Sequence, residues 1–249
     1  MWRSGRVAVV GAALALVVAG CDPSGGGAPR RAVTQTAGGA STSAGFNAAG
    51  VLGGNAQPTF PASGSSLEVV ARGTLVTGTT ATIPVAVRNG TAETVDGVTV
   101  TAEADAGGST AHGTGSTLSP SELGPGEVGL VVVSFPAGTA QPTRRTDPAA
   151  VDFTVRASSS RLHDLKVSAV SDAAGSLTGS ASEPSGSARA PYPVSAYCFD
   201  DDGALTYGAT SFASGAKALS SGDAVSFAVG LQGLPCPQYV VGVAAHGAG

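Results

Sequence analysis

From Leu67 onward, apolar and polar residues alternate with a period of two. Ile83, Val85 and Val87 interleave with Pro84, Ala86 and Arg88, and Val98, Val100 and Ala102 interleave with Thr99, Thr101 and Glu103. Successive side chains of a strand point to opposite faces, so this period predicts strands with one buried face. Asn89-Gly90, Asp96-Gly97, Ala106–Gly108 and Pro125-Gly126 are turn signals, and they cut the segment into short strands. One sheet alone would leave an apolar face in water, so the pattern predicts two sheets packed face to face. The expected fold class is all-β.

The pattern occurs twice, at a separation of about 96 residues, close to the length of one small sandwich. Gly90 corresponds to Gly186, Val98 to Val194, Val100 to Ala196, Gly107 to Gly203, Leu123 to Leu219, Gly126 to Gly222 and Glu127 to Asp223. Val131 and Val133 correspond to Phe227 and Val229, and after a shorter loop Val151–Val155 falls opposite Tyr239–Val243. Apolar, acidic and glycine positions matching in one order argue for duplication, and place two homologous domains at 67–160 and 161–249.

In the second copy a strand ends in Phe199-Asp-Asp-Asp-Gly203, and Leu219-Ser-Ser-Gly-Asp223 precedes an alternating strand. The first copy carries the same outline as Ala104–Gly107 and Leu123–Glu127, without the Phe-Asp part. This outline resembles the FxLYD and related immunoglobulin-like domains of bacterial surface proteins. The resemblance implies tandem immunoglobulin-like β-sandwich domains that act as spacers, adhesion units or binding modules, and it brings no catalytic residues.

Residues 1–20 have a different character. Arg3 and Arg6 precede an apolar run from Val7 to Val18, and Val18-Ala19-Gly20-Cys21 resembles a bacterial lipobox. A basic start, a short apolar stretch and small residues before a single Cys match a secretory signal, and the run is too short to span a bilayer. The resemblance implies cleavage before Cys21 and attachment of diacylglycerol, palmitate included, to its sulfur. Two or three acyl chains anchor stably where one does not. The expected location is therefore the extracytoplasmic face of the cell membrane.

Residues 21–66 are rich in Gly, Ser, Ala, Thr and Pro with almost no periodic apolar positions, and read as a disordered linker. A Gly-rich coil of roughly 45 residues spans roughly 35–40 Å, enough to lift a domain off a membrane. Arg30-Arg31 within it reads as a solvated pair, and Asp22 would bear on sorting only in a two-membrane cell. The Ala-, Gly- and Val-rich, Lys-poor composition resembles that of high-G+C actinobacterial proteins.

The formal charge is −4, and loss of Arg3 and Arg6 with the signal makes it two units more negative. That disfavours nucleic acid and anionic membrane surfaces as partners, since both require a basic patch. The predicted partners are the membrane, through the lipid, and another envelope protein or a glycan.

Cys198 and Cys236 are the remaining cysteines, and export to an oxidising compartment predicts a disulfide between them. No cofactor is expected. A thiol metal or redox site would call for a Cys-x-x-Cys pair or clustered His, and the sequence has neither. His112, His163 and His246 lack metal-ligand spacing and read as solvated, and no nucleophile elbow or phosphate loop is present; Gly113–Gly115 reads as turn material. Asp200 and Asp202 are a weak Ca²⁺ candidate beside the simpler reading of an Asp-Gly hairpin turn. Asn89-Gly-Thr91 likewise reads as a turn.

One face departs from the repeat. If Val194, Ala196 and Cys198 face the second core, then Ser195, Tyr197 and Phe199 face the other way, where the first copy is polar. With Tyr192 and Tyr207 nearby, they would form an exposed aromatic patch for a peptide, glycan or partner domain. The competing reading is that the register differs and these rings are core. The expected function is a noncatalytic binding or spacer module on a membrane-anchored lipoprotein. Alternatives are an accessory subunit of a cell-envelope complex, and a hydrolase or metal-handling protein whose site leaves no motif.

Overall fold

The structure, a computed structural model, describes residues 45–247 except 63, 144, 145, 174 and 185. The signal segment, Cys21, Asp22, Arg30, Arg31 and the first half of the expected linker lie outside the described residues. The described residues belong to one compact unit.

After a two-residue strand β1 (Gly53–Gly54), nine strands follow up to Ala157. They are β2 (Leu67–Arg72), β3 (Ala81–Asn89), β4 (Val95–Asp96), β5 (Val98–Asp105), β6 (Thr110–Gly115), β7 (Leu118–Ser119), β8 (Glu122–Leu123), β9 (Val128–Phe135) and β10 (Asp152–Ala157). The second copy contains β11 (Leu162–Ala173), β12 (Ser176–Ser182), β13 (Ser187–Arg189), β14 (Pro193–Phe199), β15 (Leu205–Phe212), β16 (Ala218–Ser220), β17 (Ala224–Gly230) and β18 (Gln238–Gly247). The only helical element among the described residues is a 3₁₀ turn at Pro148–Ala150. The chain is all-β.

Each copy folds one continuous antiparallel sheet, joined through β6–β9 in the first and β11–β18 in the second, into two layers around its own core. In the first, β2-β3-β9 lies over β10-β5-β6, and Ile83, Val85, Val87, Val98, Val100, Val131 and Val133 fill the space between. In the second, β11-β12-β17 lies over β18-β14-β15, around Leu165, Leu177, Val194, Ala196, Cys198, Phe227 and Val243. Gly113 and Gly115, read as turn material from sequence, are the end of β6. A Cβ on Gly115 would lie 2.6 Å from Val131, so the strand can approach β9 there only as glycine.

The correspondence between the copies extends to details that the sequence pattern does not show. β2 carries a bulge between Val69 and Ala71 against β3, and β11 carries one between Val167 and Ala169 against β12. Before β9, the Gly124 N–H donates to Glu127 Oε2 at 2.7 Å; before β17, the Ser220 N–H donates to Asp223 Oδ2 at 2.8 Å. These two turns dock on equivalent buried polar residues, Asn89 and Glu183, through pairs of backbone bonds. The last strand differs slightly from the expectation: Val155 pairs with Val100, and Val241 with Ala196, a shift of two residues that keeps the same face inward.

A third apolar layer joins the copies. It contains Ala86, Val128, Leu130 and Val132 from the outer face of β3 and β9, and Tyr197, Phe199, Leu205 and Val240 from the outer face of β14, β15 and β18. The seam therefore pairs the first sheet of one copy with the second sheet of the other. The equivalent residues on the unpaired faces are hydrophilic or small: Thr178, Ser180 and Ser226 stand where Pro84, Ala86 and Leu130 would be, and Thr101 and Glu103 where Tyr197 and Phe199 would be. On these faces the apolar side chains of β3, β9 and β14 stand where they are covered, at about 25 cal/mol per Å² removed from water.

The linker reading is corrected from Gly45 to Ala62. Phe46 and Phe60 pack edge to face at 5.7 Å, and Leu52 and Ala56 are buried in the seam layer. β1 pairs with β18 at Val240 and Val241, filling the edge that β11 leaves as it bends toward β12. Arg88, 7% exposed, donates to the carbonyls of Phe60, Pro61 and Gly126 and holds the segment down. These apolar residues are too widely spaced to produce a periodic signal.

Candidate functional site

The face of Tyr197 and Phe199 is where sequence points to a site, and the structure corrects that expectation. The register inferred from the repeat holds: Val194, Ala196 and Cys198 enter the second core, while Tyr197 and Phe199 point the other way. Neither ring is exposed, because the outer face of β3 and β9 covers both. The Tyr197 hydroxyl donates to the Leu130 carbonyl at 2.8 Å, and burial pushes its phenol well above the usual range. Tyr192 and Tyr207 are buried in the second copy's own core, with the Tyr192 hydroxyl donating to the Ala216 carbonyl. The four aromatics make no surface patch.

Polar ties run along the same seam. The Ser121 N–H and Oγ donate to the Asp164 carboxylate at 2.9–3.0 Å, and Thr74 N–H donates to the Thr206 carbonyl at 2.8 Å. Burial lifts the Asp164 carboxyl above its ordinary value, against the pull of the Ser121 bonds. At Gly208 a Cβ would lie 2.9 Å from both Pro84 and Val132, so the sheets meet there over bare backbone.

Cys198 and Cys236 are bonded, with their Cα atoms 5.0 Å apart. The bridge pins the loop before β18 to β14. Together with the turn after β14 and the segment after β2, this loop lines a cleft of about 280 Å³ at one margin of the seam. Val76, Tyr207, Leu234 and Pro235 give the cleft apolar walls, and Asp200 and Asp201 stand at it. Asp200 Oδ1 accepts the N–H groups of Asp202 and Ala204, so this carboxylate shapes the hairpin turn; Asp202 is exposed. Among the described residues no three His, Cys, Asp or Glu side chains gather as a metal would require.

The histidines are not alike. His112 is exposed, 3.5 Å from Glu103, and His246 is exposed near the end of β18. His163, expected to be solvated, instead meets the fully buried Glu183 carboxylate at 2.7 Å. Glu183 stands where the first copy has Asn89, whose side chain donates to the carbonyls of Glu93, Leu123 and Gly124. Asn89 is thus an internal plug of its turn, as Glu183 is of the equivalent one.

A second cleft, of about 400 Å³, opens farther along β15, lined by residues of β6, β9, β14 and β15. Sequence reasoning passed over its residues, because serines and threonines spread through four strands look like ordinary outward positions. The chain matches no family model and no curated protein sequence.

Proposed function

We propose that the protein is an extracytoplasmic lipoprotein, held to the membrane through Cys21, whose fused pair of sandwiches is a noncatalytic binding module. The observation that carries this reading is the seam: the apolar faces of the two copies cover each other, which fixes their relative orientation and sets two clefts at the seam's margins. Concave sites at the junction of two domains are common places for ligands. The Cys198–Cys236 bridge supports an oxidising compartment, and the lipobox-like Val18–Cys21 supports lipid attachment.

The test is metabolic labelling with palmitate in a bacterium that processes lipoproteins, followed by membrane fractionation. The wild-type chain is expected to carry label and sediment with membranes, and Cys21→Ala to carry none and leave them. An unlabelled wild-type chain, or a label retained by Cys21→Ala, would overturn the anchor.

A further inference from the structure

We infer that the cleft along β15 is a saccharide-binding site. Two cross-strand pairs face each other across it: Ser195 with Thr210 on β14 and β15, and Thr114 with Ser134 on β6 and β9. Val132 forms part of its wall, and Phe212 stands at its edge. Both copies contribute, so the site exists only because the copies are joined.

Two independent observations fit a sugar. Phe212 is 66% exposed and is the only exposed large hydrophobic side chain among the described residues, although every other aromatic ring of β14 and β15 is covered. An exposed ring beside hydroxyl groups suits a ligand with an apolar face and a hydroxylated rim. Finally, neutral hydroxyl donors and acceptors dominate the lining, and no Lys, Arg, Asp or Glu is part of it. That chemistry favours an uncharged polyol over an anion or a basic peptide, and the volume lies within the range of small-ligand sites.

This inference gives the ligand class of the binding module proposed above and rests on that reading, but its test does not depend on the anchor. The full chain, solubilised in detergent, is titrated with cellobiose and with N,N′-diacetylchitobiose, with cyclohexanol as an apolar control, while backbone amide shifts are followed. At least one disaccharide is expected to bind saturably and to shift Thr114, Ser134, Thr210 and Phe212. Phe212→Ala should weaken it about tenfold, and Thr210→Val, which removes a hydroxyl at nearly constant shape, about three- to tenfold. Both positions are exposed, so both variants should keep the wild-type melting temperature. Shifts that map elsewhere, equal binding of cyclohexanol, undiminished binding by Phe212→Ala, or no binding of either disaccharide would each overturn the assignment.

Discussion

The hydroxyl of Tyr197 in the second sandwich donates to the backbone carbonyl of Leu130 in the first, 2.8 Å away and fully buried. A carbonyl already engaged in a sheet has a second lone pair, and this bond uses it at the centre of the seam. The ring that supplies it was the best candidate for a surface site. Its position makes it a structural weld.

Tyr197→Phe should cost about 1 kcal/mol, the net worth of one buried hydrogen bond. Phe199→Ala should cost about 3–5 kcal/mol, because it opens a cavity under Leu205 and Val240. Since the seam belongs to both copies, each variant should lower one shared thermal transition. A calorimetric trace with two separate transitions in the wild-type protein would contradict this.

Reduction of Cys198–Cys236 releases the loop before β18. The sequence separation of 38 residues corresponds to about 4 kcal/mol in the chain-entropy argument, an upper figure. The double variant Cys198→Ala/Cys236→Ala should show a comparable loss in urea unfolding. Amide exchange should quicken first at Leu234 and Cys236, in the loop whose Leu234, Pro235 and Pro237 wall the smaller cleft.

Asp164 gives a pH dependence of known sign. Its folded carboxyl is lifted above the ordinary value of 3.8 by burial, so the native state holds this proton more tightly than the unfolded chain. The stabilisation is complete below the unfolded value and is lost as pH rises through the folded one. Asp164→Asn removes that contribution. Comparing urea unfolding at about pH 4 and about pH 7, the wild type should lose more stability on going up in pH than the variant does.

Tyr197 acts in the same direction at the alkaline end. Unfolded phenols ionise near 10.0, while burial keeps this one protonated to higher pH. Stability should therefore decline as pH rises above about 10, with Tyr192 and Tyr207, also raised by burial, adding to the effect. Tyr197→Phe should show a shallower decline, read from phenolate absorbance together with circular dichroism.

Alternation at Val98–Ala102 made β5 legible in the sequence, because a half-buried sheet imposes that period; β3, read the same way at Ile83–Val87, is covered on both faces. The seam was only half legible. The contrast between Tyr197 and Phe199 and their polar counterparts Thr101 and Glu103 exposed one of its faces. The other was written as the unbroken run Leu130–Val133, where burial on both sides of a strand erases the alternation. The His163–Glu183 contact and the docking of Phe46, Leu52 and Phe60 were not legible at all. They join residues far apart in sequence, or residues with no repeating spacing, and no local pattern encodes such pairs.

Because the seam joins unlike faces of the same repeat, it has no symmetry to close it: a third copy could in principle stack on either end, and a fourth on that. What stops the series is chemistry at the two outward faces, Thr101 and Glu103 at one end and Thr178, Ser180 and Ser226 at the other. Such hydrophilic ends do for this pair what terminal caps do for a solenoid. Replacing Thr101 and Glu103 by the Tyr and Phe of their counterparts would remove one cap and give the molecule a sticky end seeking a β3–β9 face, the condition under which head-to-tail contacts grow into fibres.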